Sequence, residues 1–272
     1  CREIFHSISE NLIFSVSIFS RGGGGELKKS KHLILLFFLV IFSCWSPIRE
    51  FFNSIVFTEE GHKYSLGKHN LWSVSSIIHA FEEAVDWKKM AYYSGRKIGI
   101  SAKEMLAIWA KNNKASTDAG SRVHLFCENY KKGDKPTCKQ ELAATKFFKF
   151  LEDNGYTILF KELVMYHKTY LFGGTADLIL LDPQGRLIIA DYKTNKDLFK
   201  NYKGKKLTGI FSDLLEQPYS KYEIQFSLYQ ILLEQTGNTV HKRWLIYLDR
   251  DGDYKIHETD DYTGRLEKYL IG

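Results

Sequence analysis

A block of four strand-like runs between residues 156 and 193 constrains the fold of this chain more than any other sequence feature. The runs are YTILFKELVMYH, TYLFGG, TADLILLD and RLIIADYK, and β-branched and aromatic residues recur in all four. Asp182-Pro183-Gln184-Gly185 predicts a turn between the last two runs. The chain is therefore expected to build its core around a sheet.

Helical patterns flank the strand block on both sides. Before the block, helices are predicted in SIIHAFEEA with Ser73 or Ser75 as its cap, in AKEMLAIWAKN, in residues 118–130 with Ser116 or Thr117 as cap, and in residues 140–153. A hairpin is predicted in IVFTEEGHKYSL, ahead of these helices. After the block, helices are predicted at residues 219–235 and 262–270, and a second hairpin around Asp251-Gly252. This order predicts an α/β fold with a central sheet flanked by helices and an N-terminal helical subregion.

Residues 1–50 differ from the rest of the chain. The sequence begins with Cys1, and the apolar stretch at residues 33–45 is shorter than the ~20 residues of a membrane-spanning helix. Basic residues before this stretch are typical of a secretory signal, and an artefactual segment or unstructured leader is the alternative. We expect residues 1–50 to lie outside the fold, residues 51–272 to form the domain, and the mature domain to have no membrane contact.

Composition and charge limit the classes of function. With 44% hydrophobic and 26% charged residues, the chain is neither a disordered nor a disulfide-dense protein. Its formal charge of +6 comes entirely from residues beyond Glu60, which suits a polyanionic partner, although many soluble proteins carry as much. None of the four cysteines forms a C-x-x-C pair, so no zinc site is predicted, and free thiols favour an intracellular location.

Charged residues end the most apolar of the strand-like runs. RLIIADYK is apolar up to Ala190 and then brings Asp191 and Lys193, whose spacing of two puts both side chains on one face of a strand. Charges at the end of an apolar strand must be paired, solvated or functional. With Asp177 on the preceding run, two carboxylates beside a lysine fit Mg²⁺-assisted hydrolysis at phosphate, because carboxylate oxygens are the ligands that Mg²⁺ prefers.

The order of these and other residues resembles the PD-(D/E)XK nuclease superfamily, in particular its RecB-like exonuclease branch. That branch includes phage exonucleases and the mitochondrial genome maintenance exonuclease. The matching pieces are Gly120 to His124, Glu162 in FKELVMY, Gly174-Thr175-Ala176-Asp177, Asp191-Tyr192-Lys193-Thr194, and Gln225 with Tyr229 in EIQFSLYQILL. The resemblance covers roughly residues 55 to 260 and implies a restriction-endonuclease-like mixed sheet.

The resemblance also implies roles for the matching residues. Asp177 and Asp191 are expected to bind a metal ion, Asp191 together with the carbonyl of Tyr192, and Lys193 is the expected catalytic lysine. His124 is implied as an additional metal ligand, and a structural histidine is the alternative.

Three further residues have less specific implied roles. Glu162 is expected in or next to the site, or else as an ordinary exposed strand residue. Gln225 and Tyr229 lie four residues apart on one helical face, so both could be directed at the site or could serve helix packing.

The implied activity is Mg²⁺- or Mn²⁺-dependent hydrolysis of DNA, by an exonuclease that acts on single strands or ends, in replication or repair. A non-catalytic nucleic-acid-binding or recombination module on the same fold is the alternative. Relatives that bind an iron–sulfur cluster use cysteines after the lysine strand, and no cysteine follows Cys138 here, so no cluster is expected. The resemblance makes a mitochondrial location possible, although acidic residues near the N-terminus fit a presequence poorly.

A run of lysines follows the Asp-x-Lys strand. After Lys193 it comprises Lys196, Lys200, Lys203, Lys205 and Lys206, and only Asp197 opposes it. Because the run leaves directly from the strand with Asp191, these five lysines are predicted to contact the phosphate backbone of DNA. A solvated loop is the alternative interpretation.

Overall fold

The computed structural model describes residues 47–58 and 63–271 of the chain. The chain divides into two units, Cys1–Asn53 and Ser54–Gly272, and the second unit holds every element discussed below. The predicted leader falls almost entirely outside the described residues, as does the turn of the first predicted hairpin. Within the described ranges, we find no helix of sufficient length and apolarity to cross a membrane.

The second unit contains an eight-stranded sheet. In chain order the strands are β1 (Ile55–Thr58), β2 (Lys63–Leu66), β3 (His69–Ser73), β4 (Thr157–His167), β5 (Phe172–Leu181), β6 (Leu187–Lys193), β7 (Val240–Leu248) and β8 (Tyr254–Glu258). Across the sheet they run β1-β2-β3-β5-β6-β7-β8, and β4 pairs with β5. The pairs β3–β5 and β6–β7 are parallel and the others antiparallel, so the predicted central mixed sheet is confirmed.

The sheet separates two helical layers. The helices are α1 (Val74–His79), α2 (Trp87–Ile98), α3 (Ala102–Asn129), α4 (Lys139–Asp153), α5 (Pro218–Glu234) and α6 (Thr263–Ile271). On one face, Leu178 of β5 and Tyr192 of β6 pack in a core with Val123 of α3 and Phe147 of α4. On the opposite face lies α5, which is almost completely buried over its last three turns.

Two helices differ from the prediction. The segments predicted as separate helices on either side of Ser116 form one continuous helix, α3, which begins with a capping box between Ser101 and Glu104. No glycine or proline interrupts α3 before Gly120, and an ion pair from Lys114 to Asp118 spans the expected boundary.

The helix predicted through SIIHAFEEA is shorter than expected. It is capped by Ser73, and α1 ends at His79. Beyond it, the carbonyl of Phe81 accepts a hydrogen bond from the Thr208 amide at 2.7 Å, and the Phe81 ring packs against Phe211. A tertiary contact therefore replaces the helical hydrogen bonds that sequence periodicity suggested.

The sheet opens along one edge of β5. Among the described residues, β3 pairs with β5 only at Phe172 and Gly173, and β6 pairs with it only from Leu178 onward. The other edge of β5 is paired with β4 through this region. Residues Gly174–Asp177 therefore line a gap between β3 and β6, which we call the sheet opening.

Gly174 allows α5 and α1 to approach the sheet opening. A Cβ atom added to Gly174 would lie 2.8 Å from Cε1 of Tyr229 and 2.8 Å from Cγ2 of Val74. Such distances are too short for carbon atoms in contact, so any side chain here would displace Tyr229 or the start of α1.

We predict that Gly174→Ala lowers the free energy of unfolding by about 1–3 kcal/mol, because the added methyl group overpacks this contact. Urea denaturation monitored by circular dichroism measures the loss. Gly120→Ala is the matched control: its added Cβ would meet only the Thr194 hydroxyl, at 3.4 Å, and alanine favours the helix by about 1 kcal/mol. Equal stability of the Gly174→Ala variant and the wild type would contradict the prediction.

Candidate active site

Asp177 lies at the end of the sheet opening, where β5 and β6 begin to pair. Its buried Oδ2 accepts a hydrogen bond from the backbone amide of Tyr192 at 2.7 Å. This side-chain bond continues the β5–β6 contact one step beyond the last ladder pair, Leu178 with Ala190. The carboxylate is therefore fixed by the backbone of the strand that carries Asp191.

Asp191 and Lys193 form a buried ion pair on the α5 face of the sheet. The Lys193 Nζ atom lies 2.7 Å from Asp191 Oδ1 and 4.3 Å from the centre of the Tyr222 ring. The Tyr222 hydroxyl in turn donates to Asn195 Oδ1 at 2.6 Å. A carboxylate and an aromatic face thus hold the ammonium group in place.

His124 reaches Asp177 from the opposite helical layer. Its Nδ1 atom lies 3.2 Å from Asp177 Oδ2, and its ring contacts Tyr192 edge to face. Lys161 of β4 anchors the end of α3, because its ammonium donates to the carbonyls of Cys127 at 2.9 Å and Glu128 at 2.8 Å. A lysine on the last carbonyls of a helix complements the negative end of its dipole and fixes where His124 points.

Glu162 has an unusual backbone conformation for a strand residue. It lies opposite Asp177, between the ladder pairs Lys161–Leu178 and Leu163–Ala176, and its φ angle is +50°. The left-handed region costs a non-glycine residue about 1–2 kcal/mol, and such residues cluster at functional sites. The strain coincides with a carboxylate that lies close to His124 and Asp177.

The carboxylates in this site crowd one another away from water. Burial first, and then the charge of Asp177, raise the pKa of Glu162 to about 8 and that of Asp191 to about 7. Burial acts to lower the pKa of His124, but the carboxylate of Asp177 outweighs it and raises the pKa to about 9. Asp177 is buried too, but the charge of His124 holds its pKa below the usual range.

This crowding fits a divalent cation. One ligand atom each from His124, Glu162 and Asp177 lies within 4.8 Å of the others, which is a spacing that a single ion can bridge. Two carboxylates and one imidazole form a ligand set that suits Mn²⁺ or Mg²⁺. The group contains none of the thiolates that are typical of structural zinc sites. Asp191 lies beside the group, where the charge of Asp177 acts on it. The Tyr192 amide donates to Asp177, and among the described residues no contact of the Tyr192 carbonyl with this group is seen. Metal binding by that carbonyl therefore stays a prediction.

Gln225 and Tyr229 lie on α5 at the border of the sheet opening. Gln225 Nε2 donates to the Tyr229 hydroxyl at 2.8 Å, and the Tyr229 ring packs on Gly174. A cavity of about 740 Å³ is lined by Tyr229 and Gly174 and extends to β3 and the start of α1. Tyr229 therefore lies between the carboxylates and a cavity of the size that small ligands occupy, and Gln225 holds its hydroxyl group.

The lysines that follow β6 are placed on a loop, residues 194–208, which we call the lysine loop. Lys196, Lys200, Lys203 and Lys206 are exposed there. Lys205 is different, because its ammonium lies 2.9 Å from Glu216 Oε2 and its side chain is mostly covered. Lys205 therefore holds the loop to Glu216 and is not free to contact DNA as predicted. The other four predicted lysines face solvent.

Three residues of the site escaped the sequence analysis: Lys161, Tyr222 and Asn195. Lys161 directly precedes Glu162, and Tyr222 lies three residues before Gln225 on the same helical face. Helical spacing from Gln225 could have suggested Tyr222. The part played by Lys161 depends on the meeting of β4 and α3, which no local pattern predicts.

We predict that Glu162→Ala and Glu162→Gly both weaken Mn²⁺ binding in isothermal titration calorimetry, because each removes one ligand of the site. The glycine variant should have the higher free energy of unfolding, by about 1 kcal/mol, because glycine adopts a positive φ angle without strain. Each variant controls for the other, since both lack the carboxylate. Wild-type affinity for Mn²⁺ in both variants would show that Glu162 is not a ligand.

Comparison with known proteins finds a family match for the segment that holds most of this site. Residues 149–262 match the PD-(D/E)XK nuclease superfamily, and no curated protein matches the chain. Among solved structures, SSO0001 has 15% identity and a TM-score of 0.34, over 75% of this chain and 76% of that one. A provisionally named exonuclease from Eubacterium rectale has 17% identity and the same TM-score of 0.34, over 74% of this chain and 77% of that one.

Likenesses at such TM-scores add nothing to the assignment, which rests on the sequence match. The matched segment contains Glu162, Asp177, Asp191 and Lys193, together with Gln225 and Tyr229. His124 lies upstream of the match and joins the site through α3. The match to the PD-(D/E)XK nuclease superfamily over residues 149–262 therefore covers most residues of the candidate site.

Proposed function

We propose that this protein is a metal-dependent DNA nuclease of the RecB-like branch, an exonuclease that acts on single strands or free ends. One observation carries the proposal: Asp177, Asp191 and Lys193 meet at the sheet opening, beside His124 and Glu162. Two carboxylates from adjacent strands can hold a divalent cation that activates water, and a lysine beside them can stabilise the charge that develops on the phosphate. The preference for single strands or ends rests on the order of motifs alone.

The metal-binding group would consist of His124, Glu162 and Asp177, with Asp191 next to Asp177. A bound Mg²⁺ or Mn²⁺ ion supplies positive charge that neutralises the phosphate and makes a water molecule more acidic. The protein fixes the ligands beforehand, because Asp177 is held by the Tyr192 amide and α3 by Lys161. Such preorganisation means that little rearrangement is needed when the substrate arrives.

Lys193 is placed to act on the scissile phosphate. Its ammonium is held between Asp191 and the Tyr222 ring. Burial acts to lower the pKa of Lys193, but the charge of Asp191 outweighs it and keeps the pKa above the usual range. The residue therefore stays protonated, and it donates a hydrogen bond either to the attacking water or to the oxygen on which negative charge develops.

The decisive test is digestion of end-labelled single-stranded and double-stranded DNA. Wild-type protein should release short products with Mg²⁺ or Mn²⁺ and none in EDTA. Asp177→Asn, Asp191→Asn and Lys193→Met should each reduce the rate by at least about 10²-fold, because each removes a ligand or a charge that stabilises the transition state. Products from an end-labelled substrate separate exonuclease from endonuclease action.

Lys255→Met is the control, since Lys255 is an exposed lysine on β8 outside the site. It should retain wild-type rates, and circular dichroism should show all variants folded. Wild-type turnover in any of the three site variants would refute the site. DNA binding without cleavage in every metal condition would favour the non-catalytic module.

We further predict that the lysine loop binds the phosphate backbone. Replacing Lys196, Lys200, Lys203 and Lys206 by glutamine should flatten the slope of log affinity against log salt by about 0.7 per lost contact on single strands. The loss should be equal for unrelated sequences, because lysine lacks the planar fork that reads base edges. Fluorescence anisotropy in EDTA measures binding without cleavage.

A second quadruple variant separates a local effect from a change of net charge. Lys131, Lys132, Lys135 and Lys139 are also exposed, and their replacement by glutamine removes the same charge from a different surface. Its salt slope should stay close to that of the wild type. Identical slopes in both quadruple variants and the wild type would show that the lysine loop is only solvated.

A further inference from the structure

The lysine loop is braced internally and ends in a tight turn. Leu198 and Leu207 are buried, and Asn201 Nδ2 donates to the carbonyls of Lys205 at 2.8 Å and Glu216 at 3.0 Å. At the tip, the Lys205 amide donates to the Tyr202 carbonyl at 3.1 Å. The two residues between them, Lys203 and Gly204, have φ angles of +54° and +72°.

Two positive φ angles inside such a hydrogen bond are typical of a type I′ turn, the tight turn of hairpins. The turn fixes the position of Tyr202 at its first residue. The lysine loop is therefore built to hold its tip in one conformation, at the cost of a strained backbone at Lys203.

Two large aromatic side chains of this loop are exposed. Phe199 is 54% exposed and Tyr202 65%. Phe199 rests against Tyr219, with ring centroids 4.9 Å apart, and the ammonium of Lys203 lies 5.6 Å from the centroid of the Tyr202 ring. Exposed aromatic rings at the tip of a braced loop favour a binding surface over core packing.

Phe199, one of the two exposed rings, connects to the active site through α5. Tyr222, whose ring contacts Lys193, lies one helical turn after Tyr219, and residues three apart on a helix are neighbours. Tyr219 in turn contacts Phe199. A row of aromatic residues therefore leads from the catalytic lysine to the surface of the lysine loop.

The positive charge of the lysine loop indicates a negatively charged partner. Lysines alternate with the exposed rings, as Lys200 follows Phe199 and Lys203 follows Tyr202. Asp197 is the acidic residue of the loop, and its carboxylate accepts the Phe199 amide at 2.9 Å. Rings interleaved with ammonium groups match a chain that alternates flat bases with phosphates.

We propose that the lysine loop is a stacking platform for single-stranded DNA, on which Phe199 and Tyr202 stack on unpaired bases while Lys200 and Lys203 contact the adjoining phosphates. This inference rests on the proposed nuclease function and adds to it a determinant of substrate form. Duplex DNA buries the faces of its bases, so it gains only the lysine contacts. The platform therefore makes the protein prefer single strands.

The test compares three labelled probes by fluorescence anisotropy in EDTA: a thymidine oligomer, the same oligomer with abasic residues, and a duplex of equal length. Wild-type protein should bind the thymidine oligomer most tightly. Phe199→Ala combined with Tyr202→Ala should weaken that binding by roughly 10- to 100-fold, in keeping with the loss of base stacking. Its affinity for the abasic oligomer and the duplex should stay within twofold of wild type.

The ring-preserving variant Phe199→Tyr with Tyr202→Phe is the control and should bind all three probes as the wild type does. Tyr202→Ala alone is a second control for misfolding of the loop, because the Tyr202 ring is exposed and lies away from the core. This variant should lose part of the affinity for the thymidine oligomer. Equal losses on all three probes, or no loss on the thymidine oligomer, would overturn the proposal.

Cleavage by the wild type, assayed separately with Mn²⁺, distinguishes the two hypotheses. If the wild type cleaves DNA and the double alanine variant still binds thymidine normally, the stacking platform is wrong and the nuclease stands. If the wild-type protein neither cleaves nor binds DNA, both the nuclease function and the stacking platform are wrong.

Discussion

The repulsion among buried carboxylates at the sheet opening is the constraint to which the surrounding residues respond. Asp177, Asp191 and Glu162 are drawn together away from water, where like charges are costly. His124 offsets part of that charge from the α3 layer, and Lys193 offsets another part from the α5 face. Without a metal, both partners favour their charged forms. A bound divalent cation would replace the proton of His124 and the protons that the crowded carboxylates retain, because only a neutral imidazole and ionised carboxylates bind a metal.

The sheet opening exists because β3 and β6 pair with different parts of the same edge of β5. β3 takes the first residues of that edge and β6 the last, so Gly174–Asp177 keep a partner only in β4 on the other side. The amide of Tyr192, which lies beyond the last ladder pair, finds its acceptor in the side chain of Asp177. A functional carboxylate thus satisfies a backbone group that the divergence of strands would otherwise leave without a partner.

Sequence patterns predicted most of the strands and the shared face of Asp191 and Lys193, because alternation along a strand fixes which side chains share a face. The family resemblance implied the mixed sheet, and the neighbouring run suggested that Asp177 meets this pair. Sequence patterns failed where the outcome depends on contacts distant in sequence. The early end of α1 follows from the Phe81–Thr208 bond, and the pairing of Lys205 follows from the position of Glu216. The left-handed backbone of Glu162 has no signature in FKELVMY, since glutamate carries no preference for that conformation.

A continuous sheet would keep the two helical layers apart, and this separation explains why the candidate site lies at a gap. His124 belongs to the layer that packs on Tyr192, whereas Lys193 and Tyr222 belong to the opposite one. Side chains from both layers can reach the same carboxylates only where strands diverge. The spacing of Asp177 and Asp191 is thus set by two neighbouring strands, and the charges that neutralise them come from opposite sides. A site built in this way keeps its geometry for as long as the sheet and both helices stay packed, which ties the chemistry of the protein to its core.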